Sequence, residues 1–142
     1  MTKDTSKILE ELNLCEDFHT FYLENQDAMI TQSLSEMLGE LLHKKNLKKT
    51  QVIRNSEMND IYVYQIFSGI RRPERKKLLA LALAMGLSVT ETQTLLKCAT
   101  YPPLYAKIPF DCIVLYGITK GLSVIQVNNL LYDYGEETLG EK

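Results

Sequence analysis

Little in this sequence is suited to carrying chemistry. Its 142 residues include three cysteines and two histidines. Cys15, Cys98 and Cys112 are odd in number and widely spaced, which fits neither a disulfide framework nor a zinc-ligand pattern. They read as reduced thiols, mostly in the core. His19 and His43 lack His or Cys partners at ligand spacing, so no metal is expected. There is no Gly-rich phosphate loop, no Gly-x-Ser-x-Gly and no paired His–carboxylate constellation, so neither an enzyme nor a cofactor is expected. Long apolar runs are also missing. The longest, about Leu78 to Leu87, falls far short of the roughly 20 residues that span a bilayer. The start Met1-Thr2-Lys3-Asp4 lacks the apolar stretch of a signal peptide. The expectation is a soluble, cytoplasmic protein without a membrane partner.

What is present is a real core composition, 45% hydrophobic, and a segregated charge pattern. Residues 1–43 hold two Lys against nine Asp or Glu, a net of −7. Residues 44–77 hold ten Lys or Arg against three acids, a net of +7. Residues 78–142 hold four Lys against six acids. The basic block, hidden by an acidic pI of about 5.7, is a candidate polyanion footprint. The matched acidic block raises the further expectation that residues 1–32 fold back on the basic face and restrain it.

The apolar periodicity is helical throughout. Ser33-Leu34-Ser35-Glu36 is a capping-box pattern, followed by Leu34, Met37, Leu38, Leu41 and Leu42 on one face, with an end near His43 to Lys45. Further helices are predicted at about 49–55, 59–68, 74–85, 89–99, 110–120 and 124–134. The 74–85 helix is apolar nearly all round and should be central. Gly86-Leu87-Ser88-Val89-Thr90-Glu91 is echoed by Gly121-Leu122-Ser123-Val124-Ile125-Gln126, each a C-cap glycine followed by a capping box. Pro102-Pro103-Leu104-Tyr105 falls in the connector at 100–109. It resembles a WW-domain ligand but is better explained as a helix break. In the acidic segment, Ile8, Leu9, Leu12 and Leu14 suggest one helix, and Phe18, Phe21, Tyr22 and Met29 another.

The stretch from Leu47 to Gly69 fits a helix-turn-helix, with Val52 and Ile53 inward on the first helix and a tight turn at 56–59. On a helical wheel of 59–68, Val63, Ile66, Phe67 and Asn59 share one side. Ile61, Tyr64, Gln65 and Ser68 point the opposite way, with Asp60 and Tyr62 at the borders. Tyr62 is equally a packing residue or a contact. Gln65 is suited to a bidentate pair with adenine, and Ile61 to a thymine methyl.

From Ser33 to Ala99 the chain resembles the XRE/Cro–repressor family of helix-turn-helix proteins. The residues that carry the likeness are Leu47, Val52-Ile53, Met58-Asn59, Val63, Ile66, Ser68-Gly69 and Pro73, then Lys77-Leu78-Leu79-Ala80-Leu81-Ala82 and Gly86-Leu87-Ser88. Residues 100–142 resemble a C-terminal extension found in some bacterial members. The resemblance implies an all-α, five-helix DNA-binding domain. It implies phosphate contacts from Lys48 and Lys49 and a phosphate or first-base contact from Asn59. Base reading would come from Asp60, Ile61 and Gln65. Backbone tracking would come from Ile70-Arg71-Arg72 with Lys76. Three positions depart from the pattern. Lys49 replaces a frequent Gln. Glu57 takes a turn position usually held by Gly. Asp60 puts a carboxylate at the first base-facing position.

The expected organisation is an acidic, partly helical segment at 1–32, the helix-turn-helix domain at 33–99 and a C-terminal helical hairpin at 100–142. The expected function is sequence-specific binding of double-stranded DNA by a transcriptional regulator. It would act as a homodimer through the C-terminal helices, where Tyr116, Ile118, Ile125 and Tyr132 exceed what one hairpin needs inside. A regulatory protein is a further partner the reading allows. The alternative is a protein-interaction adaptor that keeps this fold without binding DNA, which Glu57 and Asp60 favour.

Overall fold

Side-chain caps start most of the helices. In the computed structural model, which describes residues 4–29 and 32–140, an Asp, Ser or Asn side chain accepts a first-turn amide at six helix starts: Asp4, Asp17, Ser33, Asn59, Ser88 and Ser123. Each such cap is worth about 1 kcal/mol. Among the described residues there are helices and no strands. The chain divides into two compact units, Met1–Thr31 and Gln32–Lys142.

The first unit contains α1 (Thr5–Leu14), α2 (Phe18–Glu24) and a 3-10 turn at Gln26–Ala28. It buries little besides Phe21 and Asn25, whose amide donates to the Phe21 carbonyl at 2.9 Å. Phe18 lies 6.0 Å from both Phe21 and Tyr22. Met29 does not belong to the helix of Phe18 and Phe21 as the periodicity suggests. The chain turns at Gln26–Ala28, and Met29 is already extended.

The second unit is built on α3 (Leu34–Lys44), α4 (Lys49–Ser56), α5 (Asp60–Ser68), α6 (Arg75–Ala84), α7 (Val89–Cys98), α8 (Pro109–Lys120) and α9 (Val124–Asp133). Five of these helices lie between residues 33 and 99. The expected boundaries hold to within one residue because they are written locally. The boxes at Ser33–Glu36, Ser88–Glu91 and Ser123–Gln126 all form, and Gly69 and Gly121 close α5 and α8 in the left-handed region. Every residue from Leu78 to Ala84 is buried, and α6 packs on α4, α7, α8 and α9, which makes it the axis of the unit. α3 completes the layer by packing on α5 and α7. Where α8 meets α9, Gly117 has no room for a side chain, since a Cβ there would overlap Val127.

The C-terminal hairpin shares this core. Val114, Val124, Val127, Leu131 and Leu139 belong to the same buried cluster as Leu38 and Val63. Asp111, 2% exposed, binds Arg75 of α6 with both oxygens at 3.0 Å and also accepts from the Tyr105 amide at 3.0 Å. Arg75 further donates to the carbonyls of Pro102 and Pro103, and Gln93 exchanges two hydrogen bonds with the backbone of Leu104. The Pro-rich connector is thus stapled down, with Leu104 in the core. The cysteines depart from expectation. Cys112 lies on the exposed side of α8, and Cys15 and Cys98 are only half-buried. Cys98 donates to the Gln32 carbonyl at 3.3 Å, and burial pushes its thiol pKa up. No helix among the described residues is long and apolar enough to cross a membrane.

Candidate nucleic-acid interface

The turn between α4 and α5 is held by buried groups. The hydroxyl of Ser56 donates to the Ile53 carbonyl at 2.8 Å and accepts from the Met58 amide at 3.2 Å, and both residues are buried. Glu57, which closes α4, adopts a left-handed conformation with φ 60° and ψ 26°. A side chain with a Cβ is disfavoured there by roughly 1–2 kcal/mol. Asn59 then caps α5, its Oδ1 accepting from the Ile61 and Tyr62 amides at 2.9 and 3.3 Å. The helical wheel places Asn59 on the inward side. It is exposed, because a cap residue lies outside the helical repeat and does not follow its phase. Its oxygen is already engaged by its own helix.

α5 buries Val63, Ile66 and Phe67 and leaves an opposite stripe open, with Ile61 at 64% and Tyr64 at 45% exposure, beside exposed Asp60 and Ser68. Tyr62 packs against the core from the border of this stripe. Burial, and then the nearby Glu74 carboxylate, push its phenol above the usual range. Gln65 is half-buried. Its Oε1 accepts from Arg71 Nε at 2.9 Å, while its carbonyl accepts from the Ile70 and Arg71 amides at the Gly69 cap. The Arg71 guanidinium also lies 5.3 Å from the Tyr62 ring centroid. The structure therefore brings Tyr62, Gln65 and Arg71 into one cluster. No spacing in the sequence joins them, because Arg71 is reached only after the left-handed turn at Gly69.

The ten cations of the basic block are not equivalent. Lys44 and Lys45 pair with Glu91 at 3.2 and 3.0 Å. The Ser88 amide first, then Lys45 and Lys44, hold the Glu91 carboxyl at a pKa of about 2. Arg75 is committed to Asp111. Lys76 pairs with Glu137 and lies 5.7 Å from the Phe110 ring, so it is tied to the C-terminal segment and not to α5. Arg72 donates to the Ala99 carbonyl at 2.8 Å and lies over Tyr101, fastening the end of α5 to the end of α7.

Lys48, Lys49, Arg54 and Arg71 are exposed and have no carboxylate partner among the described residues. Lys49 sits 5.7 Å from the Phe67 ring centroid, which places its charge beside α5. Lys48 occupies the cap position of α4, where an ammonium cannot accept. The Gln51 side chain accepts from the Lys48 amide at 3.1 Å, but no side chain caps the first-turn amides themselves. An uncapped helix start next to two lysines is a favourable place for an anion. Neither a family model, nor a curated protein, nor a solved structure matches this chain.

Proposed function

We propose that the protein binds double-stranded DNA through α4 and α5 and acts as a sequence-specific transcriptional regulator. The observation that carries this reading is the open stripe of α5, with exposed Ile61, Tyr64 and Ser68 beside half-buried Gln65, flanked by Lys48, Lys49 and Arg71, which have no carboxylate partner among the described residues. A helix with one face in the core and the other exposed beside phosphate-binding groups has the form needed to enter a major groove. The helix-turn-helix spacing and the resemblance to XRE/Cro–repressor proteins support the same assignment. The uncapped start of α4 with Lys48 and Lys49 accounts for about two to three phosphates per protomer, so log K against log salt should fall with a slope of about −2 to −3 per protomer.

A single module of this size binds weakly, and a twofold dimer reading two half-sites is the economical solution. Tyr116, Ile125 and Tyr132 are more than half exposed on the C-terminal hairpin and are the proposed dimer surface. Ile118, which composition placed with them, packs on the core instead.

The second reading, an adaptor that binds a protein through the same face, is favoured by the carboxylates of Glu57 and Asp60 and by the apolar exposure of Ile61 and Tyr64. Anisotropy titrations of genomic fragments over a range of salt separate the two. The DNA-binding reading expects salt-sensitive binding, weakened in Lys48→Ala and Lys49→Ala with a slope reduced by about one for each lysine. Absence of salt-sensitive binding to any fragment would leave the adaptor.

A further inference from the structure

We infer that Arg71 is a base-reading group that selects guanine, with Gln65 and Tyr62 as its positioning residues; the inference rests on the DNA-binding reading above. An arginine just past a recognition helix would ordinarily be assigned to phosphate. Here it is held on three sides: Nε donates to Gln65 Oε1 at 2.9 Å, the guanidinium lies over the Tyr62 ring at 5.3 Å, and its backbone amide donates to the Gln65 carbonyl at 3.2 Å. A side chain held in this way has less rotamer freedom to lose when a ligand arrives, which favours a directional, bidentate pair.

The donor count identifies the base. Gln65 and adenine make a bidentate pair when the amide nitrogen donates to N7 and the amide oxygen accepts from the N6 amine. In this protein one lone pair of that oxygen is held by Arg71 Nε, so an adenine amine is left the other lone pair and must approach beside a guanidinium. What the cluster has left to offer is donors: the two terminal amino groups of Arg71, which have no partner among the described residues. Guanine presents two acceptors, N7 and O6, in the major groove and matches that set. With Nε engaged, the terminal edge of the guanidinium remains for the bidentate pair.

Selection of bound duplexes from a random pool, run in parallel with wild type, Arg71→Lys and Gln65→Ala, tests the assignment. Arg71→Lys keeps the charge but loses both the Gln65 contact and the planar fork. The expected result is a wild-type site with a guanine that becomes degenerate in Arg71→Lys, with discrimination at that position falling by about tenfold or more while binding to non-cognate DNA persists. Gln65→Ala should blur the same position, which a merely structural role would not do. If wild type selects a site and both variants select the same one with uniformly weaker binding, Arg71 is a phosphate contact and the inference is wrong. If wild type enriches nothing and shows no salt-sensitive binding, the DNA-binding reading has itself failed, and the guanine assignment with it.

Discussion

Replacing Glu57 by glycine should stabilise the second unit. Glu57 stands at φ 60°, ψ 26°, where its Cβ crowds the following carbonyl oxygen, a cost of roughly 1–2 kcal/mol that glycine does not incur. Glycine returns part of that gain through the greater freedom of its unfolded chain, about 0.4–1 kcal/mol. The net expectation is ~0.5–1 kcal/mol, or a rise in Tm of about 2–4 °C, measured by circular dichroism. Glu57→Ala is the control, since it removes the same charge but keeps the Cβ, and it should leave Tm nearly unchanged. Asn46→Gly, at φ 54°, should gain less, because asparagine tolerates the left-handed region better than glutamate does. Equal stabilisation by Glu57→Ala and Glu57→Gly would assign the effect to charge and refute the backbone argument. Both variants also remove a carboxylate beside the proposed DNA face, so both should bind DNA more tightly at low salt.

Asp111→Ala strips a buried partner from Arg75 and an acceptor from the Tyr105 amide, and urea unfolding should report a loss of about 3–5 kcal/mol, with Asp111→Asn in between. The Glu91 carboxyl titrates at about 2 in the fold against its ordinary 4.5, so its contribution is fully present above pH 4.5 and is lost as pH falls towards 2. Glu91→Gln keeps a side chain able to complete the capping box, as Gln126 does in α9. It should cost about 0.5–1 kcal/mol at neutral pH and flatten the acid side of a stability–pH profile recorded by urea titration. Gly117→Ala should destabilise by about 1–3 kcal/mol in thermal melts, because the β-branched Val127 it meets is buried and stiff, and Val127→Ala should relieve part of that loss.

Where the helices of the second unit begin and end, and which of them is central, can be read from the chain alone. Those features depend on neighbours a few residues apart: a serine and the Glu or Gln three positions on, a glycine past the last turn, an apolar repeat of 3.6. The exposed stripe of α5 was legible for the same reason. What becomes of the basic block depends on long-range packing. Arg75 finds Asp111 36 residues away, Lys45 finds Glu91, and Lys76 finds Glu137 61 residues away, so much of the local positive charge is consumed inside the unit. The union of Gln65 with Arg71 across the Gly69 reversal was equally out of reach. A long charged side chain chooses its partner from whatever packing sets beside it, and no one-dimensional spacing encodes that choice.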